Sequence, residues 1–131
     1  MADFEALIRN YLTLGTTDIE GFLALMDDEI VVEFPYGESA GFPSKLEGRD
    51  AIRAGLGGFL ASVPSIRFLD IVIHTTSDPD IAFATYRADA PVPATGKRYR
   101  QQYVAQFWRR NDKLIRFREW FDPVPLVEAF Q

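Results

Sequence analysis

Apolar side chains recur with the period of a helix early in the chain and with the period of a strand in its second half. Phe4, Leu7, Ile8, Tyr11 and Leu12 fall at i, i+3, i+4, i+7 and i+8, the stripe of an amphipathic helix. Gly15 and the "TTD" after it predict the end of that helix. Asp18 is placed to cap a second, shorter one, whose buried face is Ile19, Phe22, Leu23 and Met26. "DDEIVVEFP" reads as acidic residues leading into a short strand that Pro35 stops. Glycine and proline then recur to Gly48, the pattern of an ordered loop over an opening. A third helix is predicted over Arg49–Ser62, with Ile52, Leu56, Phe59 and Leu60 at helical spacing. Gly55, Gly57 and Gly58 weaken it by about 1 kcal/mol each relative to alanine, and close packing on a sheet is the reading that accounts for them.

After Pro64 the period changes. "SIRFLDIVIHTT", "IAFATYRADA", "KRYRQQYVAQFWRR" and "KLIRFREWFD" are β-rich runs separated by turn signals, so four successive antiparallel strands are expected. Val124–Phe130 is a short helical tail able to cover an edge. Helices first and strands after indicate an α+β fold. The expected architecture is a cone-shaped, curved antiparallel sheet wrapped around three helices of the N-terminal half, enclosing one apolar pocket, in a single domain spanning 1–131.

Alternation along the strands also proposes a site. In "RFREWFDP", Phe117, Glu119 and Phe121 share one face, which puts a carboxylate in the middle of an apolar row. A carboxylate in such a place finds a cation or stays protonated. On "IAFATYRADA", Ile81, Phe83, Thr85, Arg87 and Asp89 share a face that begins apolar and ends charged. If both faces look inward, Arg87, Asp89 and Glu119 meet. The guanidinium then orients two carboxylates, one of which serves as general acid or base. A structural ion pair is the competing reading. Tyr103, Ala105 and Phe107 would form an apolar wall, with Glu33 and Phe34 at the end of the first strand and Tyr36 at the loop entrance.

Composition narrows the chemistry. Eleven phenylalanines and 47% apolar residues argue for a packed core, and the absence of cysteine removes thiolate chemistry. The single histidine, His74, rules out most His-built metal sites and reads as a structural or surface residue rather than a catalytic one. Residues 1–66 carry four basic and eleven acidic side chains, a balance of −7; residues 67–131 carry ten and eight, a balance of +2. That distribution argues against nucleic acid as a partner, and the cluster of Lys97, Arg98, Arg100, Arg109 and Arg110 reads as a solvated strand face. The opening "MADFEALIRN" carries no secretory pattern, and no apolar run approaches the roughly 20 residues that span a bilayer, so a cytoplasmic protein is expected.

The order of elements together with "DDEIVVEFPYG", "LEGRDAI", "TGKRY" and "FREWFDP" resembles the SnoaL-like polyketide cyclase and ketosteroid isomerase group of the nuclear-transport-factor-2-like superfamily. The resemblance covers almost the whole chain and implies a deep apolar pocket and a homodimer. Against the ketosteroid isomerases, Phe34 stands where the catalytic aspartate would be and Ala105 where the second oxyanion acid would be. Asn10 aligns with their oxyanion tyrosine, leaving Tyr11 one place off and turned by about 100°. Limonene-epoxide hydrolases are similar in another respect: their Arg-x-Asp pair and acidic strand residue correspond to Arg87, Asp89 and Glu119. Val31 and Glu33 stand at the positions of their water-holding tyrosine and asparagine. Phenazine-biosynthesis members carry a pocket glutamate at the place of Glu119.

The reading is an acid–base enzyme for a hydrophobic oxygenated metabolite, an isomerase, cyclase or hydrolase with no metal and no cofactor. Glu119, Arg87 and Asp89 are its catalytic candidates, and Glu33, Phe34, Tyr36, Tyr103, Phe107 and Phe117 its ligand-binding ones. Two other classes stand beside it: a noncatalytic small-molecule binder, and an interaction module anchored by Trp108 and Trp120.

Overall fold

The computed structural model describes residues 3–131. Helix α1 (Phe4–Leu14) starts where the Asp3 side chain accepts from the Glu5 amide, and it buries Leu7, Ile8, Tyr11 and Leu12. Asp18 caps α2 (Ile19–Ala24) through the Gly21 amide, as its position in the sequence predicts. Strand β1 (Met26–Glu33) begins before the acidic residues, which lie within it. The loop after it is pinned by its own backbone: Phe34 donates to Ser44 and Phe42 to Gly37, both at 2.8 Å. A side chain at Gly37 would meet the Pro43 carbonyl at 2.7 Å, so the close approach requires glycine. Within that loop a three-residue strand, β2 (Lys45–Glu47), pairs with β1.

Helix α3 (Arg49–Ser62) follows, then β3 (Leu69–Thr75), β4 (Ile81–Val92), β5 (Lys97–Arg110), β6 (Lys113–Phe121) and α4 (Pro123–Ala129). The four long strands pair antiparallel in chain order, with tight turns at Gly96 and Asn111, both of positive φ. Strand β1 joins the sheet beside β6, and that pairing is parallel. The order β2-β1-β6-β5-β4-β3 forms one curved, unclosed six-stranded sheet whose concave face packs on the helices. Among the described residues, no helix is long and apolar enough to cross a membrane.

Three local expectations change. The buried face of β4 is Ala82, Ala84, Tyr86, Ala88, Ala90 and Val92, so Arg87 and Asp89 point outward. Its row of alanines lets the helices and the rings of β5 and β6 approach closely, which the bulkier opposite face would prevent. Close packing explains only one of the α3 glycines. A Cβ at Gly55 would lie 2.9 Å from a Leu46 methyl, whereas at Gly57 and Gly58 it would meet nothing within 4 Å. Arg109, finally, is no member of a solvated face. It is buried, donates to Asp80 at 3.2 Å and to the Pro79 carbonyl at 3.1 Å, and covers the Phe4 ring. The other basic side chains of β5 are outward and several meet acids, as Arg98 and Arg100 do Asp89 and Arg110 does Asp27 and Glu29.

Candidate functional site

Between the concave face of the sheet and the helices lies a narrow apolar cavity of about 80 Å³. From the sheet it takes Tyr99 and Tyr103 of β5 and Phe117, Glu119 and Phe121 of β6. Opposite stand Tyr11 and Leu12 of α1, Phe22 of α2, and Leu56, Phe59 and Leu60 of α3. Phe34 and Phe42 close it from the loop after β1, Ile66 and Phe68 from the segment before β3, and Leu126 from α4.

Among the described residues, Glu119 brings the only carboxylate to this lining. Register explains why it fits: its partner across the strands is Ala105, and Ala105 in turn pairs with Ala84. Two methyl groups where large side chains would otherwise stand leave room for a carboxyl on the concave face. One step along the sheet the paired residues are Tyr86, Tyr103 and Phe121. From that row the Tyr86 hydroxyl reaches diagonally and donates to Glu119 Oε2. The other Glu119 oxygen has no hydrogen-bond partner among the described residues. Burial pushes the Glu119 carboxyl from the ordinary 4.5 up to about 7, against the pull of the Tyr86 hydrogen bond, which favours the charged form.

Three further tyrosines surround this group. The Tyr99 and Tyr103 hydroxyls bond each other at 2.8 Å, and the Tyr103 ring stacks on Tyr86 at 5.0 Å. Burial, and then the nearby Glu119 charge, raise the Tyr86 and Tyr11 pKa values well above the usual range, so all these phenols stay protonated. Tyr11 is wedged among Phe22, Phe107 and Phe117, and its buried hydroxyl has no hydrogen-bond partner among the described residues. Asn10, the position aligned with a family oxyanion tyrosine, is exposed; the inward turn of α1 belongs to Tyr11.

Of the residues singled out in the sequence, Glu119, Phe34, Tyr103 and Phe117 line the cavity. Phe107 is fully buried behind the wall, edge-on to Tyr11. The remaining four are outside. Arg87 pairs with Asp70, and Asp89 with Arg98 and Arg100, all on the convex side. Glu33 bridges Arg116 and Arg118 on that side; burial favours its neutral form, but the two guanidiniums outweigh this and hold its pKa below the usual value. Tyr36 is exposed on the loop and shares an outer groove with Arg87 and Trp120. The Arg87–Asp89–Glu119 constellation therefore does not assemble, and with it goes the geometry that an epoxide-hydrolase-like water site needs. Tyr86, Tyr99 and Tyr11 are the cavity's chemistry that strand and helix patterns alone leave unassigned. The one sign of Tyr86 is a large residue standing alone in a row of alanines. Among the described residues no three His, Asp or Glu side chains gather into a metal-binding set.

The chain matches the SnoaL-like domain over residues 6–117 and belongs to that family. It is 29% identical over 125 residues to an uncharacterized PhzA/B-like protein of Pseudomonas aeruginosa, covering 95% of this chain and 87% of that one. A solved structure of a candidate isomerase from Bacillus subtilis superposes with a TM-score of 0.88 at 27% identity, covering 99% and 96% of the two chains. The structure of TerC, crystallised with polyporic acid, superposes at 0.80 with 20% identity, covering 97% and 96%, which is a likeness of fold.

Proposed function

We propose that the protein is a cofactor-independent acid–base enzyme of the isomerase or cyclase type, acting on a hydrophobic molecule that carries a carbonyl or phenolic oxygen. The observation that carries this reading is Glu119. A buried carboxyl with a pKa of about 7 is present in both protonation states near neutral pH, so it can take a proton from carbon and return it elsewhere. Such a group contributes roughly 10²–10⁴ in rate where the substrate is held against it. Tyr86 fixes one oxygen and so aims the other; it acts as a positioning residue. The apolar walls exclude water that would otherwise compete for the proton. The isomerase designation of the B. subtilis structure agrees with this chemistry. We further propose that a second copy of the chain covers the convex sheet face around Val104 and Trp120, which sedimentation at micromolar concentration tests directly.

Proton transfer can be read without knowing the natural substrate. One- and two-ring aromatic ketones and 1,3-diketones are incubated with the protein in D2O, and deuterium entering the carbon next to the carbonyl is followed by NMR. The wild type is expected to accelerate exchange for part of the panel, and Glu119→Gln to lose about 10²-fold or more. Ligands that bind without any exchange above buffer would replace the enzyme reading with a binding protein.

A further inference from the structure

The cavity of about 80 Å³ adjoins a larger, open groove of about 410 Å³ on the outside of the molecule. The groove runs between the loop after β1 at Ala40 and Gly41, the end of α3 at Gly58 and Ser62, and the C-terminal segment at Val127 and Phe130. Phe42, Phe59 and Leu126 line both spaces, so these three side chains form the partition between them. Phe59 stands at its centre. The Phe59 ring meets Phe42 edge-on at 5.6 Å, Tyr99 edge-on at 5.8 Å and Phe130 at 6.2 Å. Another groove, on the convex side, borders the cavity at Tyr103 and Phe121. Those two are paired across β5 and β6, so parting them disturbs the sheet. The partition at Phe59 joins a loop, a helix and the terminal helix, and Phe42 and Phe59 are only half-buried. Rotation of one ring about its side-chain bonds opens it.

The lining of the groove says what it can hold. Among the described residues no charged side chain lines it, and the Ser62 hydroxyl is committed to the Gly58 carbonyl at 2.9 Å. Gly41 and Gly58 present no side chain, and a Cβ at either would meet no atom within 4 Å. Burial of hydrocarbon is the favourable event such a surface offers. The cavity by itself is smaller than the roughly 150 Å³ that takes a benzene ring, so a ligand held against Glu119 extends past its walls. We propose that the groove seats a straight, uncharged aliphatic tail of the molecule whose head lies at Glu119, and that the Phe59 ring is the gate the tail passes. This deepens the reading above, on which it rests for the presence of a ligand at Glu119. One displaced ring leaves a narrow gap that a methylene chain threads. A branched tail meets Phe42 and Leu126 there, and a charged one loses its water with no counter-charge on either side.

The test varies the tail alone. 4-Fluorophenyl ketones with methyl, ethyl, n-butyl and n-hexyl tails, and the tert-butyl ketone, are titrated against the protein and read by fluorine NMR. In the wild type each added methylene of the straight series is expected to tighten binding about two- to fourfold. Gly58→Leu projects a side chain into the groove and is expected to flatten the series to within about twofold overall. Gly58→Ala adds a methyl too small to fill the groove and is expected to keep the rise. A rise that Gly58→Leu leaves intact overturns the proposal, as does a flat series in the wild type or no binding of any ketone. A tert-butyl ketone bound as tightly as the n-butyl one overturns it too. Loss of the rise in Gly58→Ala also does so, by tracing the effect to helix rigidity rather than to the groove. The two readings separate. Length dependence without deuterium exchange removes the acid–base enzyme and keeps the tail site; exchange with a flat series does the reverse.

Discussion

The two walls of the cavity are built on opposite principles. The sheet wall is a lattice of cross-strand pairs in which Glu119 has alanine neighbours, Tyr86 stacks on Tyr103 at 5.0 Å, and the Tyr86, Tyr99 and Tyr103 hydroxyls all have partners. The α3 wall presents Leu56, Phe59 and Leu60 from a helix that contains three glycines, two of them with open space where a side chain would stand. Helical glycines that nothing packs against lower stability with no gain in fit. The cavity of about 80 Å³ is smaller than the roughly 150 Å³ that accepts a benzene ring in an apolar core, so a ring-sized ligand has to displace something. Displacement is cheapest at α3. On the function proposed above, chemistry falls to the wall that holds its geometry, and admission to the wall that yields.

The strongest test of this contrast is at Glu119. Its folded pKa, about 7 against the ordinary 4.5, lies above the unfolded value, so the folded state binds the proton more tightly. Stability contributed by the neutral carboxyl is therefore full below about pH 4.5 and declines to a plateau above about pH 7, a change of about 3 kcal/mol. Glu119→Gln retains an acceptor for Tyr86 and removes the ionisation. Urea unfolding from pH 4 to pH 8 should show the variant gaining on the wild type by up to that amount as pH rises. A variant that is less stable at pH 8 would mean that the carboxylate is a structural partner.

A smaller effect is expected on the other wall. Gly57→Ala and Gly58→Ala should each stabilise by about 0.5–1 kcal/mol, because the helix gains and the new Cβ meets no atom. Gly55→Ala should gain less, since it pushes on the Leu46 methyls. If α3 is the yielding wall, the Gly57/Gly58 double variant takes up probes more slowly in stopped-flow mixing; unchanged uptake assigns admission to another segment. Smallest of all is Arg87→Ala, expected within about 0.5 kcal/mol in unfolding and without effect on deuterium exchange, because Arg87 and Asp70 form a half-exposed pair on the convex side. A substantial loss of exchange there would return Arg87 to the site.

Much of this was legible in the sequence where a period is long and one-sided. The stripe of α1 and the four strand runs announce themselves, and the isolation of Glu119 between Phe117 and Phe121 marks it as the cavity's carboxyl. Period 2 divides β4 into two faces without saying which looks inward. Ile81 and Phe83 weigh more on any hydrophobicity scale than a row of alanines, yet the alanines are inside because they permit close approach. That one inversion moved Arg87 and Asp89 out and Tyr86 in. Strand β2 is three residues long, too short to carry a period, and nothing local in β1 indicates that its partner is the parallel β6.

That parallel pairing has a consequence for the order of assembly. Val31 pairs with Arg116, across some 85 residues, while β3 to β6 are joined in succession by short turns. Closing so long a loop costs entropy that no local contact offsets, so the meander is free to form early and the docking of β1 comes late. On the ribosome the same constraint is stricter. Helices α1 and α2 emerge before the strands and cannot bury their apolar stripes until the sheet that receives them, completed by β6, has been made. The newborn chain therefore exposes Leu7, Ile8 and Leu12 until β6 has been made, a segment open to a chaperone over that interval.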